Sequence, residues 1–164
     1  MKTHEEYMEL ALEEARKAEE IDEVPVGCVI VCDGEVISRG HNLKEQLNQA
    51  YAHAEMMAIQ KAAEVKGNWC LNDCDLYVTL EPCMMCTGII NLSRIRTVYY
   101  GTIDPKGGCL ETVIDLKKIN RLNHYPNIVG NILQKECSEI LTNYFRKKRE
   151  VIKEKKQKNK ANIQ

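Results

Sequence analysis

Three metal-binding side chains set far apart in the sequence are the strongest constraint on how this chain folds. His53 stands in Ala52-His53-Ala54-Glu55, and Cys83 and Cys86 stand in Pro82-Cys83-Met84-Met85-Cys86. One imidazole and two thiolates is the ligand count of an open zinc site. Structural zinc is closed by four protein ligands, whereas catalytic zinc keeps three and leaves the fourth position to water. A fold that uses this set must bring residue 53 and residues 83–86 to one point. Glu55 is left over as a carboxylate beside that water, where it serves to move protons. Either half alone is weak, because a C-x-x-C pair is also a redox motif and a histidine on an Ala/Met-rich helix is often just packed. The two halves together, each at the start of an expected helix, read as a metal centre.

The segments around these motifs alternate between helix and strand periodicity. Residues 3–20 carry Tyr7, Leu10, Ala11, Ala15 and Ala18 at helical spacing. Pro25 to Cys32 reads as a strand, and Asp33-Gly34 is a hairpin turn into a second strand over 35–39. A loop follows through 41–51, then a helix over 52–65 whose first turn carries His53 and Glu55. On a regular helix Glu55 falls about 200° round from His53, so its place at the metal rests on the motif more than on helical geometry. A third strand over 75–80 leads into Pro82, a residue favoured at the first helical position, so Cys83 and Cys86 fall in the first turn of a helix reaching about residue 91. A fourth strand over 96–101, a short helix near 110–118, a brief strand around 127–132 and a last helix over about 133–150 complete the pattern. Such alternation predicts a three-layer α/β domain, with a sheet made mixed by the opening hairpin.

At 164 residues, 44% hydrophobic and 29% charged, the composition is that of one globular domain. No apolar run approaches the roughly 20 residues that span a bilayer. The charged N-terminus lacks the apolar core of a secretory signal, which points to the cytoplasm. In that setting the eight cysteines are expected as thiols, with Cys28 and Cys32 acting as small hydrophobes in a strand. A four-thiolate site of Cys70, Cys74, Cys83 and Cys86 is disfavoured, because the segment between its halves, Asp75 to Leu80, reads as a strand. Residues 146–164 hold nine Lys/Arg against two Glu, a net of +7, while the rest of the chain holds 14 basic and 22 acidic residues, a net of −8. That asymmetry suits a polyanionic partner. Residues 1–152 are expected to form the folded domain and the Lys/Gln/Asn-rich 153–164 a disordered basic tail.

The H-x-E…P-C-x-x-C arrangement is the known signature of zinc nucleobase deaminases. Beyond it, Glu23-Val-Pro-Val-Gly27, Gly40-His-Asn42, Ala52-His-Ala-Glu55, Leu76-Tyr-Val-Thr-Leu-Glu-Pro-Cys83, Ser93-Arg-Ile95, Asp104-Pro-Lys-Gly-Gly-Cys109 and Tyr144-Phe145-Arg146 resemble the bacterial tRNA-specific adenosine deaminases. The resemblance implies the cytidine deaminase-like fold, a three-layer α/β/α sandwich with a central mixed five-stranded sheet, and a homodimer. It implies one zinc per chain on His53, Cys83 and Cys86, with Glu55 as proton shuttle. It further implies that Asn42 and the backbone at Ala54 hold the flipped base and its ribose. Asp104, Lys106, Tyr144 and Phe145 would then line a groove for the anticodon stem-loop, of the type carried by an arginine tRNA. The reaction implied is conversion of adenosine to inosine at the wobble position. A deaminase of a free base or nucleoside, of guanine or cytosine type, shares the metal motif but has no need of a basic tail. A zinc protein that only binds RNA has no use for Glu55. Where the family commonly has Pro-Thr, this chain has Ala50-Tyr51, and it carries Leu110-Glu111-Thr112 after its glycine loop where a small Gly-Ser pair is common.

Overall fold

Thr3 and Glu6 start the first helix with a reciprocal cap: the Glu6 amide donates to Thr3 Oγ1 (3.1 Å) and the Thr3 amide to Glu6 Oε2 (2.7 Å). That helix, α1, spans His4–Glu20. The computed structural model describes residues 1–163. The hairpin of β1 (Gly27–Cys32) and β2 (Glu35–His41) turns at Asp33 and Gly34, both with positive φ (50° and 80°), the backbone a tight hairpin needs. The chain continues through α2 (Lys44–Leu47), α3 (Ala54–Lys66), β3 (Cys74–Leu80), α4 (Met84–Leu92), β4 (Thr97–Thr102), a 3₁₀ turn at Leu116–Lys118, β5 (Asn127–Val129) and α5 (Gln134–Ile163).

The five strands lie in the order β2-β1-β3-β4-β5. β1 is antiparallel to both its neighbours, while β3, β4 and β5 run parallel, so the sheet is mixed as expected. Strand alternation sorts the core into two layers. Cys28, Ile30, Leu76, Val78, Val98 and Tyr100 point to one face with Ala54, Ala58, Ala62 and Ile90 of α3 and α4. Val29, Val31 and Tyr77 point to the other, against Tyr7, Met8, Ala11 and Leu12 of α1 and Cys137 of α5. The result is the α/β/α sandwich.

Small residues let α3 lie close on β2. A Cβ at Gly40 would stand 2.5 Å from the Ala54 carbonyl oxygen and 2.7 Å from the Ala58 nitrogen. Only glycine there seats the first turn of α3, and with it residues 53–55, against the sheet.

Three segments differ from the sequence expectation. Residues 44–47 form a helical turn inside the expected loop, and the expected helix near 110–118 is reduced to the 3₁₀ turn at 116–118. The last helix, expected to end near 150 before a disordered tail from 153, continues to Ile163. Lys, Glu and Gln, good helix formers, predominate in its distal part over the weaker Asn159 and Asn162, and neither Gly nor Pro breaks it. Composition signalled exposure of this segment, not absence of structure. No described helix is long and apolar enough to cross a membrane.

Candidate metal centre and substrate cleft

His53 is the cap of α3 and Cys83 the cap of α4, both in extended backbone, and neither side chain makes the usual capping hydrogen bond. Both instead turn toward the same point. Pro82 therefore lies outside α4, before the cap and two positions ahead of the first helical residue, the position expected for it. The cap geometry also resolves the problem of Glu55. Because His53 stands outside the helix with φ −82° and ψ 158°, it and Glu55 in the first turn reach the same centre without sharing a helical face.

His53 Nδ1 lies 3.6 Å from Cys83 Sγ and 3.6 Å from Cys86 Sγ, and Glu55 Oε2 lies 3.3 Å from Cys86 Sγ. A tetrahedral ion held about 2.3 Å from sulfur and about 2.0–2.1 Å from nitrogen sets those atoms about 3.6 Å apart. The residues present thus fit a zinc ion in both chemistry and spacing. Cys86 and Glu55 are buried, whereas Cys83 is partly open. Two helix N-termini converge here, and their amides and dipoles favour anions.

The protonation balance follows from these contacts. A hydrogen bond from Cys86 and one from His53 overcome the cost of burial and hold the Cys83 thiol at about 4, as a thiolate. Cys86, which supplies that hydrogen bond and is itself buried beside Glu55, is pushed far upward. His53 is raised by its hydrogen bond to Cys83. Burial raises Glu55, moving it from an ordinary surface acid toward a group able both to accept and to return a proton.

A cavity of about 210 Å³ opens at this centre, with Val24, Val26, Asn42, Ala54, Glu55 and Asp104 in its wall. Asn42 is buried; its Nδ2 donates to the Val24 carbonyl (3.4 Å) and its Oδ1 accepts the Lys44 amide (3.4 Å), which fixes its orientation. Asp104 and Leu80 also border a second, wider groove of about 950 Å³, where Lys106, Leu141, Phe145 and Arg149 form part of the wall. The structure does not bring Tyr144 into that groove. Its ring is buried and its hydroxyl donates to Asp22, on the carbonyl oxygen (3.3 Å) and on Oδ1 (3.1 Å), with Phe145 edge-on at 5.4 Å. Adjacent helical positions are about 100° apart, so the two aromatics cannot share a face. Cys70 and Cys74 do not join the centre, since β3 separates Cys74 from Cys83 by its full length.

One residue escaped the sequence reading. Glu81 is 1% exposed. Its carboxylate accepts the amides of Asp104 (3.3 Å), Leu110 (3.2 Å), Glu111 (2.9 Å) and Thr112 (3.1 Å), and the Thr112 hydroxyl. It thereby ties the 104–112 loop to the end of β3. A Cβ on Gly108 would stand 2.4 Å from this carboxylate, so the loop needs glycine there. The unusual Leu110-Glu111-Thr112 supplies three of the amides. Burial works to raise Glu81, but the hydrogen bonds from Thr112, Glu111 and Asp104 outweigh it and hold the carboxyl below its ordinary 4.5. A depressed pKa stabilises the fold at pH above 4.5, and that contribution fades as pH falls through the lower folded value. Glu81→Gln is expected to lower unfolding stability at neutral pH by about 2–3 kcal/mol, with the gap to wild type narrowing in acid. Denaturant titrations at pH 7 and pH 3 check this; an equal loss at both would show that the charge of Glu81 plays no part.

Comparison with known proteins agrees with this geometry. Residues 1–102 match the cytidine and deoxycytidylate deaminase zinc-binding region. Over 143 residues the chain is 48% identical to the tRNA-specific adenosine deaminase of Bacillus subtilis, covering 87% of this chain and 89% of that one. The chain belongs to this zinc-dependent deaminase family. Within the family it resembles a solved structure from work on A-to-I editing by tRNA:A34 deaminases, with TM-score 0.80 and 47% identity over 83% of this chain and 99% of that one. A guanine deaminase structure from Bacillus subtilis aligns less completely, with TM-score 0.60 and 38% identity over 62% of this chain and 66% of the other.

Proposed function

We propose that this chain deaminates adenosine to inosine at the wobble position of a tRNA anticodon, with His53, Cys83 and Cys86 holding its zinc. The observation that carries the reading is the equidistance of His53 Nδ1 from the two sulfurs at 3.6 Å, with the Glu55 carboxyl alongside and a cavity above. Similarity over most of the chain to tRNA-specific adenosine deaminases supports adenosine in tRNA over a free base.

Zinc supplies Lewis acidity that makes water a nucleophile at neutral pH. The chain's own groups do the rest. Glu55 takes the proton of the attacking water, returns it to the ring nitrogen, and then assists the departing ammonia. The Ala54 amide, at the start of α3, has no intrahelical partner and no side-chain cap, so it is free to hold the base and its ribose. Asn42, already oriented by its own contacts, reads the base from the other wall. The cavity is smaller than the roughly 300–1,000 Å³ that encloses a drug-sized ligand. One base enters it and the remaining nucleotides run outside, over Asp104, Lys106, Phe145 and Arg149. The substrate we infer is an arginine-accepting tRNA met in the cytoplasm, a reading supported only as far as tRNA by the names of the relatives. A homodimer is supported by α4, whose Met84 and Leu92 are 67% and 63% exposed and share a helical face with Gly88, which has open space around it.

The wide groove gives a test that separates neighbours on one helix. Arg149 borders it, whereas Lys148 turns away to Asp22 at 2.7 Å. Lys106→Gln combined with Arg149→Gln is expected to weaken stem-loop binding and flatten its salt dependence, by a slope of roughly 0.7–0.9 for each phosphate no longer neutralised. Lys148→Gln should leave the slope near wild type. Equal effects from all three lysine and arginine changes would remove the groove from the reading.

A further inference from the structure

Cys32 and Cys74 face each other across the antiparallel pair β1–β3. Their sulfurs lie within 4.8 Å of one another and of an Asp73 carboxylate oxygen. Directly opposed residues on antiparallel strands have Cα atoms roughly 4.5–5.5 Å apart, inside the roughly 4.4–6.8 Å that a disulfide spans. The surroundings are polar. Cys32 Sγ is 3.4 Å from Asp73 Oδ2 and 3.4 Å from Lys66 Nζ, and Cys74 Sγ is 3.4 Å from Asp73 Oδ1. Lys66 and Asp73 are themselves ion-paired. The Lys66 ammonium already gives Asp73 and the Cys32 sulfur a cationic partner, so the cluster is suited to thiol chemistry. Cys32 is partly accessible, while Cys74 is wholly buried. An accessible thiol beside a cation, with a second thiol behind it, is the arrangement of a redox-active pair.

We propose that Cys32 and Cys74 form a reversible redox pair that takes low-molecular-weight disulfides as oxidant, with Lys66 and Asp73 positioning Cys32 for the first exchange. The Cys32 sulfur, having lost its proton to solvent, attacks one sulfur of the small disulfide. A bond forms between Cys32 and that sulfur, the small S–S bond breaks, and one small thiol leaves carrying a proton. Cys74 then gives up its proton and attacks Cys32 Sγ, and the second small thiol departs. Two protein thiols have lost two electrons and two protons, and one small disulfide has become two thiols. Burial, with Cys32 and Asp73 beside it, pushes the Cys74 thiol upward, so it is not the first to attack; its place directly opposite Cys32 brings it into the second step. The pair sits at the start of β3, while the metal centre sits beyond its far end, roughly 20 Å along the strand. The chemistry is therefore separate from the deaminase site.

The test treats the full-length, zinc-loaded protein with glutathione disulfide, followed by alkylation and peptide mapping. Wild type should yield a Cys32–Cys74 linked peptide lighter by two hydrogens, reversed by dithiothreitol. Cys74→Ala should stop at a glutathione adduct on Cys32, and Cys32→Ser should leave Cys74 unmodified. In the Cys74→Ala background, Lys66→Met should slow adduct formation roughly three- to tenfold, and Lys66→Arg should restore it. Retained zinc at the deaminase centre verifies that each variant is folded, and Cys74→Ser replaces any Cys74→Ala that is not. Modification of the half-exposed Cys70 while Cys32 and Cys74 stay reduced would overturn the proposal. So would loss of a second bound zinc on replacing Cys74, which would make the cluster a metal site.

Discussion

Glu55→Gln is expected to keep zinc, fold and RNA affinity while abolishing turnover. The substitution preserves the shape of a side chain that is 4% exposed and lies 3.3 Å from Cys86 Sγ. It removes the carboxyl proposed to accept and return the proton. General acid–base groups contribute about 10²–10⁴-fold, and Glu55 is proposed to act in more than one transfer, so the loss should reach the upper end of that range or exceed it. Single-turnover rates at saturating stem-loop, with metal content measured on the same preparation, decide the matter. A variant retaining a tenth of the wild-type rate would take Glu55 out of the chemistry.

Cys83→Ala is expected to remove zinc and to lower stability with it. Even residues that merely orient a ligand are worth about 10–100-fold in metal affinity, so removal of one of three protein ligands should cost more. The effect would have a structural side, because His53 and Cys83 stand at the two helix starts without the usual capping bonds, so that an ion held between them would join the two. Metal binding and folding are then coupled. Metal analysis and thermal melts with and without added zinc should show one equivalent in wild type, near none in the variant, and a melting temperature in the variant that zinc no longer raises. Stoichiometric zinc in Cys83→Ala, or its loss on replacing Cys70, would contradict the ligand set.

What is local or periodic in this protein is legible in its sequence. The Asp33-Gly34 hairpin, the alternating strands and the mixed sheet are all readable from short-range rules, and the metal ligands from their residue types and spacing. Glu55 can be named from the motif, but its reach to the centre depends on His53 being a cap instead of a helical residue, and ±1 residue at a helix start is beyond pattern reading. Glu81 is invisible in the sequence because its partners are backbone amides of a loop 23 to 31 residues away, and amides carry no sequence signature. Tyr144 and Phe145 are grouped by the family resemblance, yet adjacency on a helix gives them different faces. Cys32 reads as a strand hydrophobe until β1 and β3 pair and set it against Cys74. For Glu81 and Cys32 the missing information is a long-range contact; for Glu55 and Tyr144 it is the start of a helix and the face a helical residue takes, while the chemistry of each residue is plain.

The base acted on is held to be an adenosine presented by RNA, and the formation of inosine tests that claim most directly. Zinc-loaded protein would be incubated with an arginine-accepting anticodon stem-loop carrying adenosine at the wobble position, and in parallel with free adenosine, guanine and cytosine. Nucleoside products would be quantified by chromatography and mass spectrometry. Inosine is expected at the wobble position of the stem-loop, with free bases and nucleosides turned over far more slowly, because contacts along the groove position the reacting carbon. Deamination of free guanine or cytosine as fast as the stem-loop would contradict this and assign the chain to a free-base deaminase.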